Sequence, residues 1–157
     1  MAAFDIREDD PHTPAALRLL EAHLAHSWEQ TPETSNHTFD ADALSADGVT
    51  FWTVRDAQGE VVGCGALKRM DGDEAELKSM FTAESHRGRG VARAMLDHAL
   101  DAARRSGVRR VLLETGTMAG YAAARALYRK SGFVERGPFG DYREDPNSVF
   151  MVLELGR

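Results

Sequence analysis

The sequence predicts an α/β domain with a mixed central sheet of about six or seven strands and flanking helices. Two observations carry this prediction. Three β-type runs follow one another at hairpin spacing, which predicts antiparallel neighbours. The last run, Ala75 to Thr82, leads through a glycine-containing turn into an amphipathic helix and then into the apolar run Val111-Leu112-Leu113. This order predicts a right-handed crossover with parallel pairing. We expect residues 1–157 to form one domain.

The first fifty residues predict one strand and two helices. Phe4 and Ile6 alternate with polar neighbours, which is typical of a short strand. Thr13-Pro14 precedes a leucine-rich segment and predicts a capped helix with proline at its first position. A short helix is expected from Asp40 to Ala46.

The next segment predicts the three antiparallel strands. Val49 to Arg55 and Val61 to Lys68 flank the turn Asp56-Ala57-Gln58-Gly59, a pattern typical of a β-hairpin. A second turn, Asp71-Gly72-Asp73, leads into the third strand.

The rest of the chain alternates helix and strand. Gly90 to Ser106 places apolar residues on one side and charged residues at i,i+4 spacing on the other, and Gly107 is a typical helix stop. The remaining predicted elements are a helix from about Ala119 to Lys130 and two closing strands, at Phe133-Val134 and at Val149 to Leu155.

The formal net charge is −6, which argues against general nucleic-acid binding. Ten bases against four acids between residues 80 and 130 suit a polyanionic ligand, although several of these charges equally fit a solvated helix face. Cys64 is the single cysteine, so no intrachain disulfide can form. No run approaches membrane-spanning length and the N-terminus lacks signal-peptide features, so we expect a cytoplasmic protein without a membrane partner.

The turn Arg87-Gly88-Arg89-Gly90-Val91-Ala92 predicts an anion site. A strand that opens through a glycine turn into a helix leaves unpaired amides and a positive helix end facing the same way. The turn lacks the lysine and hydroxyl of a P-loop, and Arg93 stands where a dinucleotide fingerprint needs its third glycine. By itself the motif is also compatible with a surface turn.

Two motifs together resemble those of the GNAT N-acetyltransferase superfamily over essentially the whole chain. The first is R-x-x-G-x-A, with Arg87, Gly90 and Ala92. The second is A-x-x-L-Y-x-x-x-G-F, which runs from Ala124 to Phe133. The subgroup that the chain resembles is the YsnE-like bacterial acetyltransferases, through the segments G-C-G-A-L-K, E-L-K-S-M, L-E-T-G and P-F-G-D-Y-R-E-D-P-N-S-V-F-M.

The resemblance implies acetyl-CoA as acyl donor, bound between splayed strands. Its pantetheine arm would pair with backbone around Met80 and Thr82. The residues implied to hold its pyrophosphate are Arg87, Gly88, Arg89, Gly90, Val91 and Ala92. Tyr121 stands where many members have an asparagine that contacts the pantetheine arm, so that contact is not carried over.

Transfer to an amine needs a base and a proton donor, because an amine with a pKa near 10.4 is neutral only about once in 2,500 molecules at pH 7. The resemblance implies Tyr128 as proton donor to the departing thiolate and Glu76 as base; Tyr128 also fits a core position. Glu114, at the end of the following strand, is the other candidate base. Glu76 could instead form an ion pair with Lys78 while water relays the proton.

The expected activity is acetyl transfer to a primary amine of a small-molecule or amino-acid-like acceptor, by direct attack in a ternary complex. Lys78, Phe139 and Tyr142 are candidate acceptor contacts, although the polar and aromatic cluster near the C-terminus could also merely build a turn. His23 and His26 are spaced i,i+3 without further ligands, which favours solvated helix residues over a metal site. The alternative is a non-catalytic acyl-CoA-binding regulatory module. A possible homodimer is suggested only by the family resemblance.

Overall fold

The computed structural model describes residues 4–30 and 41–156, and its centre is a mixed seven-stranded sheet. The strands are β1 (Asp5–Glu8), β2 (Val49–Arg55), β3 (Val61–Arg69), β4 (Glu74–Thr82), β5 (Arg110–Gly116), β6 (Val134–Arg136) and β7 (Ser148–Glu154). The helices are α1 (Pro14–Gln30), α2 (Ala41–Leu44), α3 (Val91–Arg105) and α4 (Ala122–Lys130), with 3₁₀ turns at Glu84–His86 and Ala119–Tyr121.

The strand order is β1-β2-β3-β4-β5-β7-β6. Pairing is antiparallel everywhere except between β4 and β5, which run parallel and are joined through α3. The β2–β3 turn is fixed locally, because the Asp56 carboxylate accepts hydrogen bonds from the amides of Gln58 and Glu60 at 2.9 and 3.0 Å. The predicted fold class, hairpin and parallel crossover pair are therefore confirmed.

Helices cover both faces of the sheet. On the face that we call the α1 face, α1 and α2 bury a cluster made of Ala16, Leu19, Leu20, Leu44, Phe51, Cys64 and Ala66. On the opposite face, the α3 face, α3 and α4 cover a larger cluster that includes Trp52, Val54, Leu77, Met95, Val111 and Tyr128. Burying both faces explains why β3 and β5, the neighbours of β4, contain nearly continuous apolar runs.

The helix termini show how the sequence sets the element boundaries. Thr13 caps α1, since its hydroxyl accepts a hydrogen bond from the Ala16 amide at 3.3 Å and Pro14 occupies the first helical position. The helix predicted from about Ala119 to Lys130 begins as a 3₁₀ turn and becomes α-helical only at Ala122. The short helix predicted from Asp40 is formed by Ala41–Leu44, and Asp40 lies outside the described residues. No described helix is long and apolar enough to span a membrane.

Candidate active site

The site is organised by a gap between β4 and β5. The two strands pair only at Glu74, Ala75 and Glu76, with Glu76 opposite Leu112. Both strands continue beyond this point, β4 to Thr82 and β5 to Gly116, without pairing to each other. The backbone groups that face this strand gap are therefore not satisfied by the sheet.

One extra residue in β4 lies beside the gap. Between the pairs Cys64↔Phe81 and Ala66↔Lys78, β3 advances two residues while β4 advances three. Ser79 has φ of 55°, the only positive value found for a non-glycine residue in the described chain. This is a β-bulge, held on one side by the Cys64 thiol, which donates to the Ser79 carbonyl at 3.2 Å. The sequence predicted a regular strand here and gave no sign of the bulge.

The predicted anion loop lies at the open end of the strand gap. Gly88 and Gly90 have φ of 76° and 88°, and no atom lies within 4 Å of where a Cβ would be at either position. Helix α3 has no side-chain cap, and its first hydrogen bond runs from the Ala94 amide to the Gly90 carbonyl. The amides of the first helical turn are thus available to an anion at the positive end of the helix dipole.

The arginines of the loop are exposed, and Arg87 is partly tied down. Its guanidinium lies over the Phe81 ring at 5.5 Å, and its Nε donates to the Thr82 carbonyl at 3.4 Å. Arg89 is exposed at the crest of the loop. Two cations beside free amides fit a diphosphate, as the sequence predicted, and contact with a donor stays a prediction.

The closed end of the strand gap holds a triangle of Glu76, Lys78 and Tyr142, in which Glu76 and Lys78 are buried and Tyr142 is half-buried. Lys78 Nζ donates to Glu76 Oε2 at 2.8 Å, and the Tyr142 hydroxyl donates to the same oxygen at 2.6 Å. Lys78 Nζ also lies 3.2 Å from Tyr142 Oη. The ion pair that the sequence offered as an alternative for Glu76 is therefore formed, with a tyrosine added that the sequence could not place.

Burial sets the protonation of the triangle. Desolvation lowers the pKa of Lys78, and the opposing attraction of Glu76 partly restores it. Burial raises the pKa of Tyr142, and the adjacent Glu76 carboxylate raises it further. Tyr142 therefore keeps the proton that it donates to Glu76.

The Tyr142 ring packs in an aromatic cluster. Its ring lies 5.1 Å from Phe139 and 5.4 Å from Phe150, and these two rings are 5.9 Å apart. Phe139 is only 7% exposed and packs with Leu112 on the α1 face. The structure thus shows Phe139 supporting Tyr142, and its predicted contact with an acceptor stays untested.

Glu114 lies two residues beyond the last β4–β5 pair and is partly exposed. The Ser148 hydroxyl donates to Glu114 Oε2 at 2.7 Å, and Ser148 itself follows a turn closed by its amide and the Asp145 carbonyl at 3.0 Å. Burial is the main cause that raises the pKa of both Tyr128 and Tyr142, and the charge of Glu114 adds to it.

Tyr128 is buried on the α3 face, where its ring packs edge-on against Phe133 at 5.7 Å. Burial is the main cause that raises its pKa, and Glu114 adds to it. The structure shows the core position that the sequence left as the alternative to the proton-donor role. A catalytic role for Tyr128 stays a prediction.

An aromatic group that sequence reasoning missed spans the strand gap on the α1 face. The His26 ring lies 6.0 Å from Phe81 of β4 and 5.6 Å from Tyr121, which follows β5. His23 packs on Phe81 at 4.8 Å, and burial lowers its pKa to about 4. The solvated character expected for His23 is wrong, because its Nδ1 is buried without a hydrogen-bond partner.

Tyr121, which replaces the asparagine common in the family, is fixed in this group by a glycine. Its Cδ2 atom lies 2.4 Å from the position that a Cβ would occupy on Gly116, so only glycine at position 116 permits this packing. Arg125 stabilises the connection by donating to the carbonyls of Gly116 and Met118 at 2.7 and 2.9 Å. No group of metal-ligating side chains occurs within residues 4–30 and 41–156.

Comparison with known proteins agrees with this geometry. The Acetyltransferase (GNAT) family matches residues 13–133. The uncharacterized N-acetyltransferase YedL of Escherichia coli (strain K12) is 43% identical, over 97% of this chain and 95% of its own length. The uncharacterized N-acetyltransferase YsnE of Bacillus subtilis (strain 168) is 41% identical, over 96% of this chain and 99% of its own length.

A solved structure from Klebsiella pneumoniae subsp. pneumoniae, described as an acyl-CoA N-acyltransferase, superimposes with a TM-score of 0.80. It is 30% identical and covers 98% of each chain. The family match, the two bacterial relatives and the shared fold agree with one another and with the strand gap. The chain therefore belongs to the GNAT family of acetyltransferases.

Proposed function

We propose that this protein transfers the acetyl group of acetyl-CoA to a primary amine of a small-molecule or amino-acid-like acceptor, by direct attack in a ternary complex. The observation that carries the proposal is the strand gap, which opens at Thr82 toward the uncapped N-terminus of α3. A parallel pair that parts at its carboxyl ends offers both unpaired backbone and an anion site to one extended ligand.

The donor would be held by main chain along its length. Its diphosphate would lie on the amides and arginines from Arg87 to Ala92, where the missing Cβ atoms of Gly88 and Gly90 leave the approach open. Its pantetheine arm would pair with the β4 backbone at Met80 and Thr82, beyond the point where β5 stops pairing.

Direct attack is favoured because the single cysteine is not available as an acyl carrier. Cys64 is 1% exposed and packs in the α1-face cluster. Burial raises its pKa to about 12, so very little thiolate exists at neutral pH. The acceptor nitrogen would therefore attack the thioester carbonyl itself.

Glu114 is the base that the geometry favours. It is partly exposed at the gap and accepts a hydrogen bond from the Ser148 hydroxyl, whereas Glu76 is buried and accepts hydrogen bonds from both the Lys78 ammonium and Tyr142. We infer that Glu114 takes the ammonium proton, directly or through water, before the nitrogen attacks. Glu76 would act as a fixed structural charge.

Tyr128 would complete the transfer. As the C–N bond forms and the C–S bond breaks, its hydroxyl donates a hydrogen bond and finally the proton to the departing sulfur. The second proton that the attacking nitrogen must lose passes through water to Tyr128 and restores its hydroxyl, and the first proton, held by Glu114, goes to solvent. Its raised pKa keeps the hydroxyl protonated at neutral pH. Only the interaction made in the transition state contributes to rate.

The charge at the site supports a cationic acceptor. Glu76, Glu114 and Lys78 sum to one net negative charge where the β4–β5 pairing ends. An acceptor that arrives as an ammonium ion would neutralise this charge before it gives up its proton. The names of the bacterial relatives agree with N-acetyl transfer and leave the acceptor open.

The test is release of free CoA thiol from acetyl-CoA across a panel of primary amines, with pH profiles of kcat/KM for the best acceptor. We expect Glu114→Gln to remove the acidic limb, so that rate rises with pH toward the pKa of the amine. Glu76→Gln should keep that limb. If Glu76→Gln alone removes it, Glu76 is the base; if no amine releases thiol although acetyl-CoA binds, the protein is an acyl-CoA-binding module.

A further inference from the structure

The strand gap has a closed end and an open end, and these two ends determine in which direction an acyl-CoA donor would lie in the gap. The open end lies at Thr82, next to the anion loop, and the closed end lies at the pair Glu76↔Leu112. Thr82 lies six positions after Glu76, which is at most about 20 Å of strand because the bulge at Ser79 shortens the path. If the proposed function is right, the diphosphate binds at the open end and the acyl group points to the closed end.

The closed end is filled by the triangle of Glu76, Lys78 and Tyr142. Glu76 is the last β4 residue paired with β5, and Lys78 is two residues farther along the same face. Tyr142 joins them from the 137–147 segment that connects β6 to β7. We infer that this triangle is the end wall of the acyl site and that it restricts the donor to short acyl chains, acetyl above all.

The wall is rigid because its three members satisfy one another. Glu76 Oε2 accepts from both Lys78 Nζ and Tyr142 Oη, at 2.8 and 2.6 Å. Both charged side chains are buried, at 6% and 8% exposure for Glu76 and Lys78. Turning Glu76 or Lys78 aside would separate two buried opposite charges, which is strongly unfavourable, and turning Tyr142 aside would remove a hydrogen bond from the Glu76 carboxylate.

The wall is also supported from behind. Phe139 and Phe150 pack edge-on or tilted against the Tyr142 ring at 5.1 and 5.4 Å, and Leu112 closes the cluster on the sheet. A side chain in an apolar wall could shift to admit two more methylenes, as methionine does in other cores. The hydrogen-bonded ring system cannot shift without breaking bonds, so longer acyl chains are excluded by the cost of opening it.

The test replaces the triangle by apolar residues of similar volume, a change that proteins often tolerate for buried ion pairs. Affinities of CoA, acetyl-CoA and butyryl-CoA are measured by calorimetry without acceptor, so the readout does not depend on catalysis. For the wild type we expect acetyl-CoA to bind at least ~10-fold more tightly than butyryl-CoA, the range that one or two methylenes produce in a filled site. In Glu76→Leu/Lys78→Met/Tyr142→Phe we expect this ratio to fall to about 3-fold or less.

Two further variants keep the inference falsifiable. Tyr142→Phe retains the ring and removes only the hydroxyl, so it should lower the ratio part of the way even if the triple variant does not fold. Arg55→Met/Asp9→Leu removes a half-buried ion pair at the β1–β2 edge of the sheet, with 3.0 Å between Nη2 and Oδ2, and should leave the ratio unchanged.

Each outcome has a separate meaning. Equal binding of acetyl-CoA and butyryl-CoA by the wild type, or a ratio that Tyr142→Phe and the triple variant leave unchanged, overturns the end wall. Absence of binding by CoA and by both esters overturns the proposed function instead. A ratio that falls equally in the Arg55→Met/Asp9→Leu control also overturns the wall, because the selectivity would then follow general stability.

Discussion

Gly63→Ala tests whether the contact between β3 and the first residue of α3 positions the donor site. A Cβ on Gly63 would lie 2.5 Å from Val91 Cγ1 and 3.3 Å from the Phe81 carbonyl oxygen. Normal carbon contacts are about 3.5 Å or more, so the first turn of α3 must retreat by about 1 Å. Val91 is β-branched and 1% exposed, so it cannot rotate away.

The expected cost has two parts. Overpacking of this kind destabilises a fold by about 1–3 kcal/mol. A displacement of about 1 Å at a binding group weakens the interaction that the group makes with its ligand by up to about 10²-fold. We therefore expect KM for acetyl-CoA to rise roughly 10-fold or more. kcat at saturating donor should change much less, because Glu114 and Tyr128 lie on other elements.

The assay is steady-state kinetics with acetyl-CoA varied, combined with urea denaturation. The control is Ala103→Val, which overpacks the buried end of α3 farthest from the loop and should destabilise the fold without raising KM. An unchanged KM in a folded Gly63→Ala protein would refute the reasoning, as would an equal rise of KM in the control.

Three other predictions follow from the same structure. Gly90→Asp should abolish CoA binding measured by calorimetry. The control is Gly72→Asp at the opposite end of β4, where the φ of 68° imposes a similar backbone strain, and this variant should still bind CoA. Retained binding in Gly90→Asp would remove the loop assignment. Tyr128→Phe should keep CoA affinity and lower kcat by about 10²-fold or more, and a loss below threefold would make Tyr128 a packing residue only. The pKa of His23 is about 4 in the folded protein and about 6.5 in the unfolded chain, so its contribution to the free energy of unfolding is complete above pH 6.5 and falls as the pH is lowered toward 4. Between pH 7.5 and 5, the free energy of unfolding from urea titrations should therefore fall by about 2 kcal/mol more in the wild type than in His23→Leu.

Local chemistry explains what could be predicted from the sequence. The anion loop depends on glycines and a helix start within six residues, and the hairpin depends on one aspartate-led turn, so both patterns are complete in the sequence itself. The predicted pair of Glu76 and Lys78 likewise needs only alternation along one strand. Their catalytic assignment stays a prediction because it depends on the donor and acceptor.

Contacts between distant segments explain what could not be predicted. Tyr142 reaches Glu76 across 66 positions, and nothing in either local segment indicates the other. The burial of His23 depends on Phe81, which lies on another element. The bulge at Ser79 depends on how β4 pairs with β3 while it leaves β5, and a serine carries no signal for a positive φ.

The extra residue at Ser79 also changes which side chains of β4 are neighbours. Leu77 and Met80 both pack into the α3-face cluster, although they are three positions apart. Lys78 and Phe81 likewise pair opposite Ala66 and Cys64, two residues of one α1-face cluster. A regular strand would send residues three apart to opposite layers. Deleting Ser79 would therefore turn the Phe81 ring away from His23 and His26. The triangle of Glu76, Lys78 and Tyr142 and the Phe81 ring would then no longer lie on the same face of the sheet.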